Sequence, residues 1–195
     1  LLYIVTILHE AKIVMSPDVA SITYGVSLFA GCWVSTLTVD RFGRRPLLLG
    51  SLFIMAIAHC MISLFFTMQN LNFEMTGYDW VIISAVNLYG FSFCIGVGPL
   101  TTVVANEVIN PEFASICNSA QLMITGVTAF ALSKTFPMLV SIVGYQNYFF
   151  IFAATCIIGF FMVLYIVPET NGKSIKSIRE ELQAQNSSME NTITA

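Results

Sequence analysis

Charge is what this sequence has least of. Only 10% of its 195 residues are Asp, Glu, Lys or Arg, while 56% are hydrophobic and the mean hydropathy is +0.80. Soluble domains carry roughly 25% charged residues. A water-facing surface cannot be built from so few, so an ordinary soluble enzyme and a disordered chain are both excluded. Basic excess is missing too: Lys+Arg number 8 against 11 Asp+Glu, a net charge of −3. That removes the electrostatic footprint of a nucleic-acid partner. Cys32, Cys60, Cys94, Cys117 and Cys156 sit singly in apolar runs, which excludes a disulfide framework and a zinc-ligand spacing. They are expected to pack as small apolar side chains. There is no nucleophile–base pair, glycine-rich phosphate loop or cluster of metal ligands. No covalent chemistry, cofactor or metal is therefore expected.

What remains is long apolar sequence. Spanning a bilayer takes about 20 mostly apolar residues, and five stretches qualify, near Val19–Val39, Leu47–Met68, Trp80–Ile109, Ile116–Phe136 and Asn147–Val167. None alternates as a membrane barrel strand must. Each is expected to be a helix, which closes its backbone hydrogen bonds internally where water is absent. The fold class is all-α, a polytopic transmembrane helix bundle. Residues 1–8 are too short to span and are expected to be the end of a truncated helix. Residues 9–167 hold the five spans, and 168–195 form a polar tail with a short helix after Ser174. The opening in mid-apolar sequence, without a basic n-region or cleavage site, suggests no signal peptide and a piece of a longer chain.

The connectors carry the punctuation. Ser16 and Pro17 suit a helix start, and Asp79 is placed to cap the third span. Asp40-Arg41-Phe42-Gly43-Arg44-Arg45-Pro46 is expected to be a charged turn, and Pro137–Tyr145 a loop. Counting alternate connectors, Arg41, Arg44, Arg45, Lys173, Lys176 and Arg179 share one side, while Lys12 and Lys134 lie at the other. That bias marks the first side as cytoplasmic. The carboxyl terminus is then inside, and Asn186-Ser187-Ser188 would not meet the glycosylation machinery.

Within the third span, Gly90, Gly96, Gly98 and Pro99 predict a bend or break near mid-membrane. Transporters use such interruptions to line a cavity and to pivot; close helix packing is the plainer alternative. Glu107, near the inner end, is costly beside lipid unless paired. Arg41, Arg44 and Arg45 are its candidate partners. Asn87, Gln121, Thr125, Thr128 and Ser133 could bond a hydroxylated solute or join helices, the second being the commoner use. His59 is expected to bond a neighbouring backbone group rather than to relay protons, and His9 to face water.

Three stretches together carry a resemblance. Asp40-Arg41-Phe42-Gly43-Arg44-Arg45-Pro46 resembles the inner loop of the sugar porter family of the major facilitator superfamily. Gly96-Val97-Gly98-Pro99 followed by Glu107 resembles its tenth helix, and Pro168-Glu169-Thr170-Asn171-Gly172-Lys173-Ser174 its tail signature. Ser133-Lys134-Thr135-Phe136 adds a likeness to insect facilitated trehalose transporters. The match places the chain as the carboxyl-terminal six-helix half of a major facilitator fold, from late in the seventh helix onward.

That resemblance implies sugar transport, of hexose or trehalose, by alternating access at the plasma membrane. The partners would be a small-molecule sugar, the lipid bilayer and a missing amino-terminal six-helix half. It implies a cytoplasmic charge network of Asp40, Arg41, Arg44, Arg45, Glu107 and Glu169 that latches one state. The sugar path would run past Tyr3, Asn87, Gly98, Pro99, Thr102, Gln121 and Thr125. The chain departs from the family where Pro and then Trp usually follow: Leu100, Thr101 and Thr102 stand there. Ala114 replaces an Arg, and Thr125-Gly126 an Asn-Trp pair. A non-transporting sugar sensor on the same fold, or a carrier of another small solute, are the alternatives.

Overall fold

The computed structural model describes residues 6–7, 11, 17–71, 77–109 and 113–166. They form six helices: α1 Pro17–Phe42, α2 Arg44–Asn70, α3 Asp79–Ile95, α4 Val97–Val108, α5 Ala114–Val143 and α6 Tyr145–Ile166. No strand occurs among the described residues. Five stretches are long and apolar enough to cross a membrane, at Val19–Val39, Arg44–Asn70, Asp79–Asn106, Ala114–Val143 and Tyr145–Tyr165. The five expected spans are all present. Of the partial first helix, Thr6 and Ile7 are helical; the remainder of 1–5 and 8–10, and the tail from 167 onward, lie outside the described residues.

The connections are shorter than the sequence suggests. The expected seven-residue charged turn shrinks to Gly43, because α1 runs through Asp40 and Arg41 to Phe42 and α2 opens at Arg44. A reversal that tight needs a left-handed residue, and Gly43 sits at φ 90°, where a Cβ would clash with the backbone. Gly144, at φ 82°, does the same between α5 and α6. The loop expected over Pro137–Tyr145 is therefore a correction: Pro137 lies inside α5, which continues to Val143. Proline is tolerated in a membrane helix where nearby groups re-satisfy the freed backbone. Asp79 does not cap either; it is the first helical residue, after an N-cap at Tyr78 without a side-chain bond.

The third span does break. Gly96 (φ −125°, ψ −81°) separates α3, of 17 residues, from α4, of 12. The interruption lies past the middle, toward the α4 end. Backbone bonds close over it: Gly96 N–H reaches the Ser92 carbonyl at 3.3 Å, and Leu100 N–H the Gly96 carbonyl at 2.9 Å. Pro99 falls in the first turn of α4, where its missing donor has no intrahelical acceptor to lose.

Lipid tails are as apolar as Leu, so helices here associate through close packing and hydrogen bonds. Glycines allow that approach. A Cβ on Gly31 would meet the Phe91 carbonyl oxygen at 2.6 Å, and one on Gly90 the Tyr24 ring at 2.5 Å, so α1 and α3 cross nearly backbone to backbone. A Cβ on Gly96 would collide with the Ser51 hydroxyl, and lies 2.8 Å from the Leu47 carbonyl oxygen of α2. Around these crossings one core gathers Tyr24, Ile62, Phe65, Phe66, Ile82 and Phe149, and a second, near the arginine end, gathers Leu47, Leu48, Leu100 and Val104. By contrast α5 packs through Phe136 and Val140 at its α6 end, against Tyr148, while residues 122–132 are exposed throughout.

Gly96→Ala should lower the thermal midpoint in detergent, because overpacking a tight contact costs about 1–3 kcal/mol. Gly50→Ala, with open space beside it, should leave the midpoint unchanged or raise it. Equal midpoints for the two variants would show that Gly96 is not held against α2.

Candidate functional site

Three features surround the broken span. The first is the start of α4 with the facing stretch of α5. The Thr101 hydroxyl folds back onto the Val97 carbonyl at 2.7 Å. Thr102 is exposed and accepts from Gln121 Nε2 at 3.3 Å, tying α4 to α5. Thr125 lies one turn further along α5, exposed, with Gly126 in open space beside it. Thr102, Gln121 and Thr125 therefore share one polar strip next to Gly98 and Pro99.

Asn87 is held elsewhere. Its Oδ1 accepts from the Ser27 hydroxyl at 2.8 Å and its Nδ2 donates to the Ile83 carbonyl at 2.8 Å. That joins α1 to α3, as a helix-joining polar residue does. Tyr3 lies outside the described residues; of the remaining six path candidates the structure brings together five, Gly98, Pro99, Thr102, Gln121 and Thr125, and sets Asn87 apart.

The second feature is the arginine end. Arg41 is exposed; Arg44 and Arg45 are half-buried. Arg45 Nη2 donates to the Leu164 carbonyl in the last turn of α6. Carbonyls in a last helical turn lack intrahelical partners and carry the negative end of the helix dipole, so a guanidinium satisfies both. This contact pins the start of α2 to the end of α6. The side chains of Asp40 and Glu107, and all of Glu169, lie outside the described residues.

The third feature was not foreseen. A cavity of about 540 Å³ opens inside the bundle, with walls from α1, α2, α3, α5 and α6. His59 is one of its lining residues. Its Nδ1 is 2.8 Å from the Met55 carbonyl, the backbone bond the sequence suggests. Its ring meets Tyr89 edge-on at 4.9 Å between centroids and stacks on Phe152 at 5.7 Å. Of its lining residues the sequence singled out only His59 and Ser133 for a polar role, each within its own helix, so no sequence signal marked the cavity.

A long broken helix, a polar strip across the break and an arginine-tied end describe a multi-pass membrane protein of the transporter class. The match to known proteins is direct: residues 1–182 match the family model described as "Sugar (and other) transporter". The chain belongs to that family. It is similar to the facilitated trehalose transporter Tret1 of Polypedilum vanderplanki, with 28% identity over 183 residues, covering 94% of this chain and 36% of the relative. The Tret1 proteins of Drosophila virilis (27%, 94% of this chain, 20% of the relative) and Bombyx mori (27%, 92% and 36%) are similar to it as well. The chain thus spans little more than a third of these relatives at most.

Arg45→Met should lower the thermal midpoint by an amount equivalent to about 1 kcal/mol, since a partly exposed charged donor to an end carbonyl is lost. Arg45→Lys should recover part of it. A midpoint that ignores both substitutions would mean that the α2–α6 tie contributes nothing.

Proposed function

We propose that this chain is the carboxyl half of a sugar carrier working by alternating access. The observation that carries the reading is the interrupted span: α3 and α4 meet at Gly96, with Gly98 and Pro99 opening the second half-helix beside Thr102, Gln121 and Thr125. Broken helices lining a cavity are the usual place for a transporter's substrate. The relatives' name adds trehalose, and the family's description sugars and other solutes.

In this reading, residues 1–8 end the seventh helix, 9–167 hold five spans, and the tail from 168 lies in the cytoplasm. The protein works at the plasma membrane. An amino-terminal six-helix half completes the cavity; the exposed stretch of α5 from 122 to 132 is one face available to it. Asp40, Arg41, Arg44, Arg45, Glu107 and Glu169 form an inner charge network that latches one state. Rocking of the halves breaks and remakes it, which is how charge pairs serve a bistable element. Tyr3, Asn87, Gly98, Pro99, Thr102, Gln121 and Thr125 border the path.

Thr101, Thr102, Thr125 and Gly126 stand where the family has Trp and Asn-Trp, and this favours a second reading. A protein that binds sugar weakly and signals would not need the stacking rings. Uptake of radiolabelled trehalose and glucose by the full-length parent in liposomes separates the two. Saturable flux is expected, and none from residues 1–195 alone; saturable binding without flux would make it a sensor. Thr102→Trp in the parent should shift the half-saturating sugar concentration about tenfold, a change of about 1.4 kcal/mol. An unmoved value would place the path away from the α4 start.

A further inference from the structure

The aromatic cavity around His59 has the chemistry of a small-molecule site. Its volume, about 540 Å³, lies within the roughly 300–1,000 Å³ usual for such sites. Tyr24, His59 and Tyr148 present buried rings, at 5%, 6% and 8% exposure, and Tyr89, Phe93 and Phe152 complete the walls. His59 Nδ1 is committed to the Met55 carbonyl, which turns Nε2 the other way. Among the described residues, neither that nitrogen nor the Tyr24 and Tyr89 hydroxyls have a hydrogen-bond partner, and they are absent from the fully enclosed, unsatisfied atoms. They therefore face open space.

This combination selects an occupant. A purely apolar molecule would leave three polar groups unpaired, at about 1–3 kcal/mol each. A charged solute would find no Asp, Glu, Lys or Arg among the described wall residues, and its desolvation would go uncompensated there. A neutral ring with C–H faces and hydroxyl edges satisfies both demands: faces lie on the aromatic rings, and edges meet Tyr24, His59 and Tyr89. We propose that this cavity is a binding subsite for a neutral, hydroxylated ring solute, a sugar or cyclic polyol, with those three residues as its polar anchors. The inference rests on the sugar-carrier reading for the substrate class, but assigns residues that reading does not use.

The position also links occupancy to the break. A Cβ on Gly98 would sit 3.0 Å from Phe93 Cε1, so the Phe93 wall leans on the first turn of α4. Movement of α4 about Gly96 would press Phe93 into the cavity or withdraw it. Stacking rings absent from the Thr101–Thr102 and Thr125–Gly126 positions are thus available deeper in the bundle.

The test uses the full-length protein in liposomes with Ala129→Cys, a cavity-lining position, and Leu132→Cys as a second probe should the first misfold. Labelling by a small maleimide is followed at that position by mass spectrometry, with trehalose or glucose added. Saturable protection of at least fivefold is expected, and Tyr89→Phe and His59→Phe should each raise the half-protecting concentration about tenfold at an unchanged thermal midpoint. Saturable uptake without protection would overturn the subsite and leave the carrier reading standing. Protection without uptake would uphold the subsite and overturn the carrier. Absence of both would overturn the two together.

Discussion

The rest of this structure depends on one constraint: inside a bilayer, every backbone N–H and C=O must find its partner within the protein. Water cannot rescue an irregular turn, so the chain stays helical almost wherever it is apolar. That explains why α1 continues through Asp40 and Arg41, and why α5 runs over Pro137 instead of looping there. It also explains the abruptness of the reversals. Gly43 and Gly144 each turn the chain in one residue, exposing the fewest backbone groups, and only a left-handed glycine does so without strain.

The break at Gly96 shows how the same constraint is relaxed at one place. The irregular residue is pressed against α2, within reach of Ser51 and the Leu47 carbonyl, and bonds on both sides close over it. Membrane helices tolerate irregular backbone where it is buried in protein, and Gly96 is buried against α2. Glycine is required there by the neighbour's proximity, since its φ of −125° is open to any residue. The same logic of close approach governs Gly31 and Gly90 at the α1–α3 crossing. Packing of this kind is what holds helices together when burial from water contributes nothing between them.

Much of this was legible in residue order. Apolar runs between charged connectors marked the five spans, because length and hydropathy are what a bilayer selects. Gly96-Val97-Gly98-Pro99 marked the break, and the lack of a carboxylate in the helix that carries His59 pointed to a backbone partner, found at Met55. Helix ends were less legible. Proline and clustered arginines are soluble-protein turn signals, and lipid overrides them in favour of helix. Asn87 read as solute contact or, as the commoner use, helix link; its bond to Ser27 depends on how α1 crosses α3, which no single-helix pattern contains. The His59 cavity was not legible at all. It is assembled from five helices, and Tyr24, Tyr89 and Phe152 each look like packing residues until placed around one space.

The tie between Arg45 and Leu164 connects these levels. One guanidinium satisfies an end carbonyl of α6 and opposes the negative end of its dipole, while fixing the start of α2. Arg45 belongs to the same short charged run that resembles the family's inner loop, so a residue shared with a proposed latch also has a structural duty. A contact between α2 and α6 lies within one half of the proposed carrier, and is a poor candidate for the part that opens. Rocking that breaks charge contacts would then fall on Arg41 and Arg44, leaving Arg45 as the fixed post against which they move.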